Sequence, residues 1–335
     1  MIIGLIVSAV SLVVFGSATN GMMIAVAAII GGVGEAFYFG ANMALLYDAL
    51  KAFGRQKDFA AIRANCVLSA QAGIIIGGVI GGYLYTVAKG LPYFANAASL
   101  LLCAVAVSGM FESRVHAAAI RLHDTARTIA NGFRETFRQG HIRRLSAYYI
   151  MVGGITWTWQ IYLNQIFASE IGYGEVAKGW LFAGVRLMNA LVLIGLARAT
   201  GFSKRRIFYY FPLIMLISTF PALIPNAYVN TFLLFTMTLS ASSRFTFLDA
   251  VVNDEVSSTY RATVLSTLNL FVRIIHITGV TLAGPIIDAA GSKWVYALGG
   301  IVTLSVILPL AAVLARPKAE AAAVPALTNL DEGKT

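Results

Sequence analysis

The sequence predicts an all-α integral membrane protein, a helical bundle of ten transmembrane helices in two pseudo-symmetric halves. Three observations carry that prediction. Of 335 residues, 58% are apolar and 12% charged, against about 45–50% and 25% in an ordinary soluble chain. The apolar residues are gathered in blocks of about 17 to 26, the length that crosses roughly 30 Å of hydrocarbon at 1.5 Å per residue. The basic residues, finally, fall on one side of those blocks. Barrel strands of about ten residues are too short for such blocks, and in lipid a backbone must satisfy itself within helices or a closed barrel.

The first segment, Met1 to Ala18, has no basic stretch before it and no clear small-residue cleavage site, so it reads as a span rather than a signal peptide. The second, Met22 to Tyr47, holds Glu35; the third, Cys66 to Ala88, holds a glycine run; the fourth is Pro92 to Phe111. After a long polar stretch come Ala147 to Ser169, Trp180 to Ala197 with Arg186, Ile207 to Ile224, and Tyr228 to Val252 with Arg244. Thr263 to Ile287, with Arg273 and His276, and Trp294 to Leu314 complete the set. The organisation is then an N-terminal half of four spans (1–111), a cytoplasmic basic linker (112–145), a C-terminal half of six spans (146–315) and a disordered Ala-rich tail (316–335).

A formal charge of +10 would suggest nucleic acid in a soluble protein, but position matters more than sum here. Nineteen of the 25 Lys and Arg follow the even-numbered spans, and only Lys89, Lys178 and Lys293 lie in the opposite loops. Both termini are therefore expected in the cytoplasm, in a bacterial inner membrane, with no nucleic-acid partner. In the linker, Ile120, Ile129, Phe133 and Phe137 give a partly apolar face. It suits a helix on the membrane surface, or else the stretch is a solvated tether. Cys66 and Cys103 sit in apolar spans and read as small core residues; no disulfide framework, metal site or cofactor is indicated. The sequence has no HExxH, no serine with a partnered base in context and no GxxxxGK[ST], so neither an enzyme nor an ATP-driven pump is expected.

Two segments on either side of the linker repeat one another. Tyr47-Asp48-Ala49-Leu50 is followed by Arg63-Ala64-Asn65-Cys66-Val67-Leu68-Ser69, and Leu248-Asp249-Ala250-Val251 by Arg261-Ala262-Thr263-Val264-Leu265-Ser266. Repeated halves are a mark of secondary transporters. The third span carries Gly73, Gly77, Gly78, Gly81 and Gly82, and the ninth ends in Gly284-Pro285-Ile286-Ile287-Asp288.

With these motifs the chain resembles the major facilitator superfamily from the first span to the tenth. The glycine run (Gly73, Gly77, Gly81, Gly82) is similar to that of the family's fifth helix, which is associated with exporters working as antiporters, although Gly78 stands where the family has proline. The resemblance implies a monomeric secondary transporter that moves a small-molecule substrate across the lipid bilayer, coupled to protons and in the direction of export. Import of an anionic metabolite is the alternative. Six spans follow the linker and four precede it, so the family's first two helices are apparently lacking, and a non-transporting truncated protein stays open. Asp48 with Arg63, and Asp249 with Arg261, match the cytoplasmic helix ends where the family forms gate salt bridges. Physically, the glycines would let Gly77 and Gly81 meet a neighbouring helix closely.

Ionisable side chains cost about 2.5–3.5 kcal/mol in hydrocarbon, so those inside spans are functional candidates. Gly31, Glu35, Tyr38 and Asn42 share one helix face. Gly153, Trp157, Gln160 and Asn164 repeat that spacing on the fifth span, and Thr236, Ser240, Ser243 and Phe247, beside Arg244, do so on the eighth. These faces are expected to line a cavity, with Glu35 exchanging the coupling proton. Shorter polar stripes are Arg186 with Asn189, and Ser266, Asn269, Arg273 and His276. Packing between helices is the competing account of every stripe.

Overall fold

The computed structural model describes residues 1–38, 46, 49–50, 53–109, 130, 132–137, 140–198, 204–256 and 261–316. Its long elements are α1 (Ile2–Gly16), α2 (Gly21–Tyr38), α3 (Phe59–Val87), α4 (Leu91–Ser108), α5 (His141–Thr158), α6 (Asn164–Glu170), α7 (Glu175–Arg198), α8 (Lys204–Thr219), α9 (Ala227–Glu255), α10 (Arg261–Ala290), α11 (Ser292–Val302) and α12 (Leu308–Leu314). A π-helical turn, Trp159–Leu163, joins α5 to α6, and a second, Thr303–Ile307, joins α11 to α12. A helix thus occupies each of the ten predicted segments, and no strand occurs among the described residues. Among the described residues, six helical stretches are long and apolar enough to cross a membrane, from Ala61–Val87 to Ser292–Leu314, while Ile2–Gly16 and Gly21–Phe37 are apolar but shorter.

The ends follow local chemistry. Asn226 caps α9, its side chain accepting from the amides of Tyr228 and Val229 at 3.0 and 3.1 Å, which satisfies two of the donors every helix start leaves open. Pro92 sits in the first turn of α4, where its missing N–H costs nothing. Gly291, at φ 88°, breaks the chain between α10 and α11 in a conformation that side chains resist. Glu170 then accepts from the Ser292 amide at 2.9 Å and hydroxyl at 2.7 Å, tying α6 to the start of α11.

The chain gathers into two compact units, residues 1–120 with 174–184, and 121–173 with 185–335. In the first, helices approach closely at small residues. Ser11 donates to the Ala27 carbonyl at 2.7 Å, and a Cβ at Gly31 would stand 2.7 Å from the Ser11 hydroxyl. A Cβ at Gly16 would stand 3.0 Å from the Gly90 carbonyl, beside the stacked pair Phe15 and Tyr93 at 5.3 Å. The first turns of α7 lie on α3 in the same manner: a Cβ at Gly179 would reach the Gly78 carbonyl at 2.7 Å, and one at Gly82 the Glu175 carbonyl at 2.8 Å.

This contact departs from the expected register. Among the described residues, added Cβ atoms at Gly73, Gly77, Gly78 and Gly81 meet nothing within 4 Å, so the close approach uses the bare face of Gly82 and the carbonyl of Gly78, against which Gly179 sits. Cys66 and Cys103 are free and exposed rather than in a core. In a bilayer the outside of a bundle is as apolar as its inside, so apolar surroundings in sequence do not imply burial.

The second unit is joined by side-chain hydrogen bonds instead. Tyr148 donates to the Phe208 carbonyl at 2.7 Å. Asn164 donates to Thr238 at 3.1 Å and accepts from Tyr296 at 3.0 Å, linking α6, α9 and α11. The end of the basic linker belongs to this unit: Phe133 and Phe137 pack on Phe271 of α10, with centroids 5.9 and 5.1 Å away, and Ser146 donates to the Thr136 carbonyl at 2.6 Å. That segment is docked on protein, whereas Ile120 and Ile129 lie outside the described residues.

Candidate functional site

Two groups of polar side chains stand out in the second unit, both between α5 and α10. In the deeper group, Arg244 of α9 is 2% exposed. Its guanidinium donates to the Asn269 amide oxygen at 3.2 Å and lies 5.1 Å from the Tyr149 ring and 4.3 Å from the Phe245 ring. Tyr149 donates to Asp249 at 2.8 Å, and the Asn269 amide nitrogen is occupied by the Leu265 carbonyl at 2.9 Å. The group therefore ties α5, α9 and α10 together through one cation, one carboxylate and the phenol between them. Gly153 makes room for it, since a Cβ there would stand 3.3 Å from Cδ of Arg244 and 2.6 Å from Val272.

The second group lies two turns further along α5. Trp157 stacks on His276 with centroids 5.6 Å apart and planes at 25°, and the Arg273 guanidinium carbon is 5.5 Å from the indole centroid. Thr158 approaches His276 Nδ1 at 3.1 Å and donates to the Gly154 carbonyl at 2.8 Å. Gly279 faces Thr158, where a Cβ would be 3.1 Å from the hydroxyl. Unlike Arg244, Arg273 is exposed, and Trp157 and His276 are half-buried. The π-helical turn begins at Trp159, which is buried against Gly299 and Tyr296. Such turns widen a helix and occur often at functional positions.

The remaining candidates are placed as follows. Glu35 is exposed on α2. Asn42 and Asp48 lie outside the described residues, as do the side chains of Tyr38 and Arg261, so neither proposed pair, Asp48 with Arg63 nor Asp249 with Arg261, can be described. Arg63 itself is exposed. Asn164 is 1% exposed and both ends of its amide are used within the unit. Thr236, Ser240 and Ser243 are buried and donate to carbonyls of their own helix at 2.9, 2.7 and 3.1 Å. Gln160 is half-buried within the π turn. Arg186 is half-buried one turn before Asn189, which is 2% exposed with no hydrogen-bond partner on its amide among the described residues.

The sequence reading missed Tyr149 and Thr158. Tyr149 was within reach, because it stands four residues before Gly153 and so extends the stripe Gly153, Trp157, Gln160 by one turn. Thr158 lies off that stripe, and its role depends on α10, which no spacing within α5 reveals.

No curated protein matches the chain. Among solved structures, a bacterial homolog to the human lysosomal transporter Spinster, in an inward-facing and unoccupied conformation, is similar in fold: TM-score 0.62 at 15% identity, over 94% of this chain and 81% of that one. Residues 1–272 match the profile of the Major Facilitator Superfamily. A span of that extent, over a helical bundle of this kind, makes the chain a multi-pass membrane protein of the major facilitator superfamily.

Proposed function

We propose that this transporter exports a small amphipathic molecule by antiport with protons. The observation that carries the reading is the backbone contact between α3 and α7, where Gly78 and Gly82 meet Gly179 and Glu175. It lies in the same glycine run whose resemblance implies antiporting exporters. Glu35, a carboxylate in the otherwise apolar α2, is the coupling residue in this reading. A second reading, uptake of an anionic metabolite, is favoured by Arg244 and Arg273, the two cations placed on aromatic rings in the second unit.

The test is transport by the purified chain in vesicles under an imposed pH gradient, with Glu35→Gln beside the parent. Gradient-driven accumulation by the parent, lost in the variant while exchange of substrate persists, supports the coupling role. Accumulation that survives the substitution would move the proton elsewhere. The gradient direction that drives accumulation separates export from uptake.

The same reading takes the protein to be a monomer in a bacterial inner membrane with both termini in the cytoplasm, supported by the one-sided placement of 19 basic residues. Cysteines introduced at Arg127 and Lys204 should be shielded from impermeant thiol reagents in intact cells, and one at Glu175 labelled. Labelling of all three would overturn this topology.

A further inference from the structure

Arg273 and His276 lie near the middle of the 30-residue α10, about 20 Å from either end at 1.5 Å per residue. At that depth a cationic side chain on a lipid-facing surface costs about 2.5–3.5 kcal/mol or more. Both side chains nevertheless keep exposed surface. The surface they share with Trp157 must therefore face water or a ligand rather than acyl chains.

The hydrogen bonds give this surface a definite polarity. Thr158 has one proton, and it goes to the Gly154 carbonyl at 2.8 Å. Its oxygen is left to accept from His276 Nδ1, 3.1 Å away, so the neutral imidazole carries its proton on Nδ1 and presents Nε2 as an acceptor. Next to it the Arg273 guanidinium, laid against the indole, offers a planar set of donors suited to a carboxylate. Indole and imidazole are stacked nearly parallel, at 25° to one another, so a planar ring set edge to edge with the imidazole would lie parallel to the indole face. A lipophilic cation fits poorly, since it would meet two basic side chains.

We infer that Trp157, Arg273 and His276 form a binding subsite for a planar organic anion that also carries a hydrogen-bond donor, an aromatic or heteroaromatic acid with an adjacent N–H or O–H. The anionic group pairs with Arg273, the donor with His276 Nε2 and the ring with Trp157. Arg273 makes a further interaction in this structure, which a bound anion would join or displace. That such an acid is also the transported molecule rests on the transport reading above; the subsite itself does not.

Indole-2-carboxylate and benzofuran-2-carboxylate probe the subsite, because they differ only in the ring N–H. Binding is measured by calorimetry on the purified full chain in detergent, with tetraphenylphosphonium as the cationic comparison. Indole-2-carboxylate should bind saturably and about tenfold more tightly than benzofuran-2-carboxylate, roughly the discrimination that one unmet hydrogen bond of about 1.4 kcal/mol gives, and tetraphenylphosphonium should not compete. His276→Phe should remove the preference between the two acids, and Arg273→Gln should weaken both at least tenfold. Equal binding of the two acids by the unaltered chain, unchanged affinity in Arg273→Gln, or preferential binding of the cation would each overturn the subsite, whether or not His276→Phe folds. Acid binding without gradient-driven movement in vesicles would instead sink the transport reading and leave the subsite standing.

Discussion

The two units meet the same requirement by different means. Without a hydrophobic force between helices in lipid, association rests on close packing and interhelical hydrogen bonds. The first unit uses mainly packing, Gly16 on Gly90 and Gly82 and Gly179 at the contact of α3 with α7, with side-chain bonds from Ser11 to the Ala27 carbonyl and from Trp180 to Tyr83 beside it. The second uses side-chain bonds: Tyr148 to Phe208, Asn164 between Thr238 and Tyr296, Tyr149 to Asp249, and Glu170 to Ser292. Backbone contacts tolerate no added volume but are indifferent to chemistry. A bonded network accepts small changes of volume but responds to each lost donor. Apart from Glu35, the side chains of the two polar groups gather in the second unit, where α5, α9 and α10 can hold them in fixed orientations.

That contrast can be broken most decisively at α3. Gly82→Leu or Gly179→Leu drives a side chain into opposing backbone, which cannot rotate away, and should cost about 1–3 kcal/mol. Folded yield and thermal stability in detergent should fall for both, and Gly77→Leu, with no described atom within 4 Å of its Cβ, should behave like the parent. Equal loss at Gly77 would show that the stripe assignment is wrong.

A smaller effect is expected in the second unit. Interhelical hydrogen bonds in membrane proteins average about 0.6 kcal/mol and reach about 1.7. Tyr149→Phe, which removes the donor to a carboxylate, should fall near the upper figure, and Tyr296→Phe, which removes the donor to Asn164, nearer the average. Chemical unfolding of the purified chain measures both; a Tyr296→Phe loss beyond that of Gly82→Leu would invert the comparison. Smallest of all should be Ser99→Ala, whose exposed hydroxyl bonds to the Ala95 carbonyl of its own helix and whose loss should stay within about 0.5 kcal/mol.

The helices themselves were legible from length and composition, since hydrocarbon thickness sets how long an apolar run must be. Their ends were not. α3 begins at Phe59, seven residues before the apolar run does, because hydropathy marks where lipid starts and not where hydrogen bonding starts. The glycine run was visible, but Gly81 and Gly82 point about 100° apart on one helix, and it is the partner α7 that makes Gly82 the one whose bare face is used. Of the candidate side chains, Trp157, Arg273 and His276 come together across two helices 120 residues apart in sequence. Their spacing within each helix was readable, whereas the phase between the helices depends on Gly153, Gly154 and Gly279 seating Val272, Ile275 and Thr158.

The π-helical turns bear on how such a chain can change length. Each, Trp159–Leu163 and Thr303–Ile307, holds one residue more than an α-helix needs for the same rise. Loss of a single residue there returns the turn to α geometry and leaves the flanking faces in register, so that Trp157 still meets α10 and Asn164 still meets Tyr296. The same deletion two turns earlier in α5 would rotate Tyr149 and Trp157 apart by about 100°. These widened turns are points at which a residue can be lost inside the membrane without dismantling the helix pairings on either side.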